Sequence, residues 1–358
     1  MGDLSMFDTD PLSAVEAASA AQALAFAPLA FQATFVMRDR GILSALAMAE
    51  PNCGCSINEI AEITGLSRYA VRVLLEVGLG LKIVWRTDNQ FHLGKLGYFL
   101  LNDEMTRINF NFTRDVCYHA AAHLDESLVN GRPAGLHELG PWSTVYEGLS
   151  SLREPALSSW HQFDHFYSDQ AFVAVTEKLV AKGPCNLLDV GCNTGKWAER
   201  CLTAMPSLNV GLVDFEPQLT EAKKRLSSSG LADRATFHPL DILNQATKLP
   251  EGYDIIWMSQ FLDCFSEEEI VYILGKVRNS LKPGAKLWIL ELFWDRQRFE
   301  AAALSLQQIS LYFSCVANGN SQMYESSVFF ELIQRSGFKV TAITDGISGY
   351  HTLVECGS

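Results

Sequence analysis

The spacing of apolar residues changes twice along the chain. Residues 10–48 are rich in Ala, Leu and Phe and leave little polar face, which predicts helix that is buried on most sides. So apolar a surface near an amino terminus also indicates contact with a second subunit. Residues 99–168 have the pattern of further helices and loops. From residue 182 strands alternate with helices, which predicts an α/β domain around a mostly parallel sheet.

A winged helix is predicted for residues 56–93, between the apolar helical segment 10–48 and the helices and loops of residues 99–168. Ser56 with Glu59 three residues later forms a capping box that begins a short helix, Gly65 ends that helix, and Ser67 can cap the next one. Residues 82–93 then alternate as two strands around an Asp-Asn turn. A winged helix taken alone suggests DNA binding.

Charge argues against that function. The chain has 358 residues and a formal net charge of -13, whereas a phosphate backbone or an anionic membrane attracts basic proteins. The second helix of the winged helix offers only Arg68 and Arg72. We therefore expect neither a nucleic-acid partner nor a membrane partner.

The compartment and the metal content are predicted from the thiols and histidines. Nine cysteines and an acidic amino terminus without a basic residue indicate free thiols in a cytoplasmic protein without a leader peptide. Cys53 and Cys55 lack a second pair at zinc-finger spacing. His119 and His123 are spaced for one helix face but have no evident third ligand, so no metal site is predicted.

A glycine-bearing turn is the strongest local motif. Residues 186–190 form an apolar strand that contains Asp189 and runs into a turn with Gly191 and Gly195. Glycines let the backbone turn tightly against a ligand. The spacing Gly-x-x-x-Gly differs from the dinucleotide fingerprint Gly-x-Gly-x-x-Gly, which disfavours NAD. An acid just before the first glycine suits a ligand that carries an ammonium group.

Two further acids follow at strand ends. Asp214 ends a strand 19 residues after Gly195, where an acid can bind both hydroxyls of a ribose, and Phe215 is assigned to the same site. Asp241 ends a third strand, where it can accept from an adenine amino group while Ile242 flanks the ring. A single strand-end Asp is often only a helix cap, but three in order with the glycines favour a nucleoside ligand.

This order of residues resembles class I S-adenosylmethionine methyltransferases. Residues 252–274 and 281–291 are more specifically similar to the small-molecule O-methyltransferases of the caffeate, hydroxyindole and polyketide-tailoring type. The resemblance covers nearly the whole chain. It implies S-adenosylmethionine as cofactor, a small phenolic substrate, a homodimer, and a Rossmann-like α/β domain preceded by an all-α/winged-helix dimerisation domain. The expected boundaries are 1–105 for the dimerisation domain, 106–170 for a helical connector at the substrate pocket, and 171–358 for the catalytic domain.

The chain departs from this family at the general base. Where the family has Leu-His-Asp-Trp-Ser-Asp-Glu-Glu, with its His as base, Asp263 takes the place of the His. Ser259 replaces a lysine that the family often has and is assigned to the cofactor, and Gln260 to the substrate. Glu291 matches the first glutamate that orients the His, and Gln322 is the match for the second.

An aspartate is a weak substitute for that histidine. A phenol titrates near pH 10 and an exposed Asp near 3.9, a mismatch of roughly six units or ~8 kcal/mol for complete proton transfer. Burial beside Glu291 would raise the pKa of Asp263. The alternative base is His165, within the aromatic segment 160–167, where His161 and Tyr167 are assigned to the substrate. This segment also fits a packed helix with hydrogen-bonded histidines. Between the two bases we expect His165.

The acceptor atom stays open at this point. A lost histidine base also fits methylation of the ring carbon ortho to a phenol hydroxyl, and tyrosine-type ring C-methyltransferases are similar in build to this family. We expect the ring carbon slightly ahead of the phenol oxygen. A catalytically silent S-adenosylmethionine-binding protein and a winged-helix regulator are the alternatives to an enzyme.

Overall fold

The computed structural model describes residues 7, 9–50, 53–183 and 185–357. The start of the predicted first domain, residues 1–6 and 8, lies outside them. The chain divides after Arg114 into an amino-terminal and a carboxy-terminal compact unit. The predicted connector thus belongs largely to the carboxy-terminal unit. A single helix, Ala156–Lys182, runs across residue 170, where the sequence suggested a boundary, because no Gly or Pro interrupts it before Gly183.

The amino-terminal unit contains the predicted winged helix. The Ser56 side chain accepts from the Glu59 N–H, and the Glu59 side chain accepts from the Ser56 N–H. Gly65 ends this helix with a φ of 69°. The Ser67 side chain accepts from the Ala70 N–H at the start of the next helix. The strands of the hairpin are antiparallel. The elements are α1 (Ala14–Ala25), α2 (Ala27–Asp39), α3 (Ile42–Ala47), α4 (Ile57–Thr64), α5 (Arg68–Gly80), β1 (Val84–Thr87), β2 (Gln90–Leu93), α6 (Lys95–Asn102) and α7 (Glu104–Phe112).

The predicted burial of the first helical segment is wrong for a single chain. None of the residues of α1 is buried, and α2 buries only Thr34 and Met37. Phe26 is 59% exposed and Leu29 is 69% exposed. The segment is also interrupted at Phe26, because Pro28 cannot donate a helical hydrogen bond and lies in the first turn of α2. An apolar surface therefore remains open on these helices.

The same two helices are relevant to whether the chain contains a membrane-spanning helix. Among the described residues no single helix is both long and apolar enough to cross a membrane. Two consecutive helices, Ala14–Ala25 and Ala27–Asp39, are long and apolar enough when they are counted together. They meet at a bend of 68°.

The carboxy-terminal unit is an α/β domain with additional helices before its first strand, as predicted. Its helices are α8 (Leu124–Asn130), α9 (Val145–Gly148), α10 (Ala156–Lys182), α11 (Lys196–Ala204), α12 (Glu216–Ser228), α13 (Glu267–Ser280), α14 (Glu300–Tyr312) and α15 (Ser326–Arg335). Its strands are β3 (Asn186–Val190), β4 (Asn209–Asp214), β5 (Ala235–Pro239), β6 (Ile255–Ser259), β7 (Lys286–Glu291), β8 (Lys339–Ile347) and β9 (His351–Gly357). The sheet order is β5-β4-β3-β6-β7-β9-β8, and β9 is antiparallel to both neighbours.

Helices cover both faces of this sheet because its strands are apolar on both sides. Leu188 and Ile256 lie in a core on one face with residues of α13 and α15. Leu187 and Trp257 lie in a second core on the opposite face with residues of α10, α11 and α12.

The topology marks one edge of the sheet for ligand binding. The chain passes from β3 outward to β4 and β5 and then returns to the other side of β3 as β6. Ligands of open α/β sheets bind outside the carboxyl ends of the strands at such a switch point. Gly191 directly follows β3, and Ser259 is the last residue of β6.

Candidate active site

The turn after β3 has the backbone that its glycines predict. Gly191 and Gly195 have φ angles of 75° and 74°, in the left-handed region that favours glycine. A Cβ on Gly191 would lie 2.2 Å from the Phe261 ring, and one on Gly195 would lie 2.9 Å from Ala222. A larger side chain at either position would therefore displace its neighbours and close the turn.

Asp214 fastens this turn to the end of β4. Its Oδ2 accepts from the Asn193 N–H at 2.8 Å and its Oδ1 from the Phe215 N–H at 2.8 Å. Burial raises the pKa of Asp214 to about 6, against the opposite effect of these two hydrogen bonds. Phe215 is 49% exposed. An acid and an apolar ring thus stand together at the sheet edge, a combination that could hold a nucleoside.

Asp241 lies at the same edge but Ile242 faces inward. The Leu240 N–H donates to the Asp214 carbonyl oxygen at 3.1 Å, and Asp241 Oδ1 accepts from the Leu243 N–H at 2.9 Å. Ile242 is 6% exposed and packs in the hydrophobic core. The structure therefore brings Asp241 near Asp214, while the side chain of Ile242 contributes to the core.

A cleft open to solvent lies at the switch point. It brings together predicted residues from three separate segments, namely His165, Asp189, Gly191, Ser259 and Gln260. It also contains residues that sequence reasoning did not assign, among them Asp164, Asp169, Asn193 and Lys196.

Asp189 has a buried carboxyl group that forms no ion pair with any described residue. It is 2% exposed, and its Oδ2 has no hydrogen-bond partner among the described residues. Burial, and then the charge of Asp214, raise its pKa well above the ordinary range. A buried carboxylate oxygen that lacks a partner is unfavourable, and a ligand cation removes this cost. The ammonium group of S-adenosylmethionine fits this requirement.

Further polar groups of the same cleft are unpaired within the described residues. The Ser259 hydroxyl and the Gln260 amide nitrogen are buried without a partner in the part of the chain that the structure describes. Gln260 also has a φ of 46°, which is uncommon for a residue with a side chain. These groups are available for hydrogen bonds to a ligand.

His165 lies in this cleft beside charges of both signs. Its Nδ1 is 3.7 Å from Asp164 Oδ2 and 3.9 Å from Asp169 Oδ1, and Lys196 Nζ is 2.7 Å from Asp169 Oδ2. Burial, and then the charge of Lys196, lower the pKa of His165, although Asp169 opposes them. The imidazole is therefore mainly neutral near pH 7 and can accept a proton. The sequence contains two signals for this group of charges. His165 and Asp169 are four residues apart on one helix, and Lys196 directly follows Gly195.

The other predicted residues of this helix differ in position. The His161 ring lies 5.9 Å from the His165 ring. Tyr167 is only 7% exposed and packs against Phe163 and Phe166, with ring centroids 5.0 Å and 5.3 Å away. Tyr167 is thus part of an aromatic cluster inside the unit, and it is not among the residues that line the cleft.

Asp263 and Glu291 form a buried pair of acids. Glu291 is 1% exposed, and its Oε1 accepts from the N–H groups of Phe261 and Leu262 at 3.2 Å and 3.0 Å. Its Oε2 has no hydrogen-bond partner within the described ranges. Burial, and then the charge of Asp263, raise the pKa of Glu291 well above its usual value. The raised pKa favours the neutral, protonated form of Glu291.

Asp263 ionises near neutrality. Its side chain is buried, at 5% exposure. Burial raises its pKa to about 7, an effect that the hydrogen bond from Cys264 partly offsets and the charge of Asp164 reinforces. The Cys264 Sγ donates to Asp263 Oδ1 at 3.5 Å. A carboxyl group with this pKa is a better match for a phenol than an exposed Asp.

Two tyrosines missed by sequence reasoning lie near this pair. The Tyr312 oxygen accepts from the Trp160 indole N–H at 2.9 Å. Burial raises the pKa of both Tyr146 and Tyr312. Both hydroxyls therefore stay protonated and can donate hydrogen bonds. No local motif connects Tyr146 with a turn more than a hundred residues later, so the sequence carried no signal for it.

Gln322 does not join the acids as its family match implies. It is exposed, whereas its neighbours Ser321 and Met323 are buried. From the same segment it is Asn318 that contacts the turn of Asp263, because its amide donates to the Cys264 carbonyl oxygen at 2.6 Å.

Two family models match this chain, one in each compact unit. Residues 18–91 match the Dimerisation2-like domain. Residues 188–287, from β3 to β7, match a methyltransferase domain. The second match covers the glycine turn, Asp214, Asp241 and Asp263.

Curated relatives and solved structures extend over most of the chain. The chain is 23% identical to the L-tyrosine C(3)-methyltransferase of Streptomyces lavendulae, over 83% of this chain and 81% of the relative. It is 25% identical to the 3-amino-4-hydroxybenzoate 4-O-methyltransferase of Streptomyces cremeus, over 87% of this chain and 83% of that relative. The fold is similar to apo SibL, an S-adenosylmethionine-dependent methyltransferase, with a TM-score of 0.70, 23% identity, and coverage of 95% and 98% of the two chains. The chain therefore has a Dimerisation2-like match ahead of a methyltransferase-domain match, and over most of its length it is similar to C- and O-methyltransferases.

Proposed function

We propose that this enzyme methylates the ring carbon ortho to the hydroxyl of a small, tyrosine-like phenol. One observation carries the proposal, namely that the same unit contains two groups able to accept a proton, Asp263 in a buried acid pair and His165 in the cleft at the switch point. Ring methylation would use one acceptor at the hydroxyl and another at the ring carbon, whereas oxygen methylation would use only the first.

The cofactor would be held by the residues at the carboxyl ends of β3, β4 and β5. Asp189 would receive its ammonium group, Asp214 its ribose hydroxyls and Asp241 its adenine amino group. Gly191 leaves room for close approach of the ligand to the backbone. When bound, S-adenosylmethionine supplies an electrophilic methyl group on a sulfonium. The protein contributes mainly proximity and orientation, which are worth ~7–11 kcal/mol in well-oriented reactions.

Asp263 would accept the hydrogen of the substrate hydroxyl. With its pKa at about 7, the mismatch with a phenol near 10 falls to roughly three units, or ~4 kcal/mol. The raised pKa of Glu291 favours its protonated form, and with Glu291 protonated the pair would carry a single negative charge when Asp263 ionises. Partial transfer of the phenol proton raises the electron density of the ring at its ortho carbons, which prepares one of them for attack on the methyl group.

His165 would accept the proton that leaves the ring. As the new carbon–carbon bond forms, the bond from the methyl group to sulfur would break and the sulfur would keep the electron pair. The methylated ring carbon would then still carry its hydrogen. Neutral His165 would take this hydrogen as a proton, the electrons of the C–H bond would restore the aromatic ring, and Asp263 would return the hydroxyl proton to the substrate oxygen. The products would be a methylated phenol, a neutral thioether and one proton on His165.

The names of the relatives support a small phenolic substrate and are compatible with either a ring carbon or a phenol oxygen as the methyl acceptor. The relative from Streptomyces lavendulae is named for the ring carbon of tyrosine, and the relative from Streptomyces cremeus for a phenol oxygen. Oxygen methylation is therefore the second candidate, and Asp263 alone would serve it.

We also propose that the enzyme is a homodimer that acts free of nucleic acid and membranes. The exposed apolar residues of α1 and α2, such as Leu24 at 76% and Leu29 at 69%, lie in the segment that overlaps the Dimerisation2-like match. A second subunit would cover them. The net charge of -13 disfavours phosphate-rich partners.

The test is methyl transfer from S-adenosylmethionine to a panel of tyrosine, coumarate and related phenols, with products located by mass spectrometry and NMR. A methyl group on the ring carbon next to the hydroxyl supports the proposal. A methyl group on oxygen alone would replace it with the second candidate. Cofactor binding without transfer to any phenol would instead indicate a silent binding protein.

A further inference from the structure

Two short 3₁₀ segments of the carboxy-terminal unit, Ala120–His123 and Ala134–Glu138, bring three potential metal ligands together. The ligand atoms of His123, His137 and Glu138 all lie within 4.8 Å of one another. We propose that these side chains form a binding site for a divalent transition metal of the zinc type. The site is separate from the residues assigned to methyl transfer.

Two of the three ligand distances match tetrahedral coordination. His123 Nε2 and His137 Nε2 are each 3.5 Å from Glu138 Oε1. Zinc bonds of about 2.0–2.2 Å to nitrogen and oxygen place neighbouring tetrahedral ligands roughly 3.3–3.6 Å apart. Both imidazole nitrogens thus stand at that spacing from the carboxylate oxygen, and the ligand atoms of the two histidines lie within 4.8 Å of each other.

The second ring nitrogen of His137 is oriented as metal-bound histidines require. Its Nδ1 is 2.5 Å from the Ala134 carbonyl oxygen, so Nδ1 carries the hydrogen and donates it. In the neutral imidazole this contact fixes the tautomer in which Nε2 has a free electron pair, and Nε2 lies 3.5 Å from Glu138 Oε1. Metal-binding histidines almost always donate their other ring hydrogen to a carbonyl or carboxylate in this way.

The backbone that carries the ligands is tightly packed. A Cβ on Gly135 would lie 2.5 Å from the Ala120 carbonyl oxygen and 2.8 Å from Cys315 Sγ. Cys315 in turn donates to the same Ala120 oxygen at 2.9 Å. The two segments therefore meet at a glycine without room for a side chain, and this contact keeps His123 and His137 at a fixed separation.

The ligand set selects the kind of metal. Imidazole suits zinc, copper, nickel and iron, whereas carbonyl and carboxylate oxygens suit magnesium and calcium. Two imidazoles with one carboxylate leave the fourth tetrahedral position for water, as in zinc sites that have three protein ligands. The side chains of His123, His137 and Glu138 are 30%, 59% and 40% exposed, so an ion can enter from solvent.

Calorimetric titration of the metal-free, untagged full-length enzyme with zinc chloride tests this site. The wild-type enzyme should bind one more zinc ion than His137→Ala does, or bind it at least 100-fold more tightly, because loss of a ligand exceeds the 10–100-fold effect of outer-shell changes. His119→Ala is the matched control, since His119 is nearby and exposed but outside the cluster. It should bind zinc like the wild type, and magnesium chloride should give no comparable binding.

Folding defects are distinguished by a second variant and a second readout. Glu138→Gln should also lose the zinc ion, while circular dichroism and binding of S-adenosylhomocysteine stay native in both variants. Equal zinc stoichiometry and affinity in the wild type, His137→Ala and Glu138→Gln would overturn the proposal and assign the binding to cysteine thiols. No zinc binding by the wild type would also overturn it and leave an ordinary His–Glu–His hydrogen-bonded cluster.

Discussion

The carboxyl group of Asp263 is held inside the protein, where burial raises its pKa from an ordinary 3.8 to about 7. Between these two pH values the folded state keeps a proton that the unfolded state has lost. Stability therefore falls as the pH rises from about 4 to 7 and stays low above 7. An Asn at this position has almost the same shape and never ionises, so Asp263→Asn should remove this loss of stability.

The size of the effect follows from the pKa shift. One pKa unit corresponds to ~1.4 kcal/mol, so the shift of roughly three units gives a gain of up to ~4 kcal/mol at pH 8. At pH 5 the folded state is still protonated, and the gain is about 1.5 kcal/mol. For a unit of this size 1 kcal/mol moves the melting temperature by about 2–4 °C. The gain in melting temperature should therefore be several degrees larger at pH 8 than at pH 5.

Scanning calorimetry of the wild type and Asp263→Asn at both pH values measures this difference. Asp295→Asn is the control, because the buried Asp295 is hydrogen-bonded by the N–H and hydroxyl of Ser326 and its loss should lower stability at both pH values. A melting temperature of Asp263→Asn at or below that of the wild type at pH 8 would refute the raised pKa. The same variant should turn over more slowly, since Asn cannot accept the phenol proton.

Three further predictions concern the cofactor, the second base and the assembly. Asp214→Ala should weaken S-adenosylhomocysteine binding at least tenfold, or ~1.4 kcal/mol, in calorimetric titration, whereas the exposed Asp233→Ala should not. His165→Ala should reduce turnover by ~10²–10⁴ and leave cofactor affinity nearly unchanged, and a near-native rate would exclude it as a base. Light scattering should give about twice the chain mass of 39.7 kDa, with Leu29→Glu shifting the enzyme toward monomer; a stable wild-type monomer at micromolar concentration contradicts the dimer.

Much of the fold was predictable because its signals are local. The capping box at Ser56, the Asp-Asn hairpin and the glycine turn after β3 each depend on a few neighbouring residues. The parallel sheet followed from the alternation of strands and helices. Burial of α1 and α2 was mispredicted because the sequence pattern of an apolar helix is the same whether the helix packs within its own chain or leaves its apolar side exposed for a second subunit.

The candidate site was predictable only in part. Asp189, Gly191 and Asp214 follow strands directly, so their positions at one sheet edge are a consequence of topology. The surroundings of Asp263 are different, because Tyr146 and Asp164 reach it from distant segments through tertiary packing. The pairing of His123 with His137 and Glu138 likewise depends on the contact between two 3₁₀ segments.

Methylation of the ring carbon is tested with a tyrosine-like phenol that carries deuterium at both carbons next to the hydroxyl. After incubation with S-adenosylmethionine, mass spectrometry of the product counts the deuterium atoms that remain. Methyl transfer to one of these carbons replaces its deuterium, so we predict a methylated product that has lost a single deuterium. A methylated product that keeps both deuterium atoms would contradict methylation of the ring carbon next to the hydroxyl.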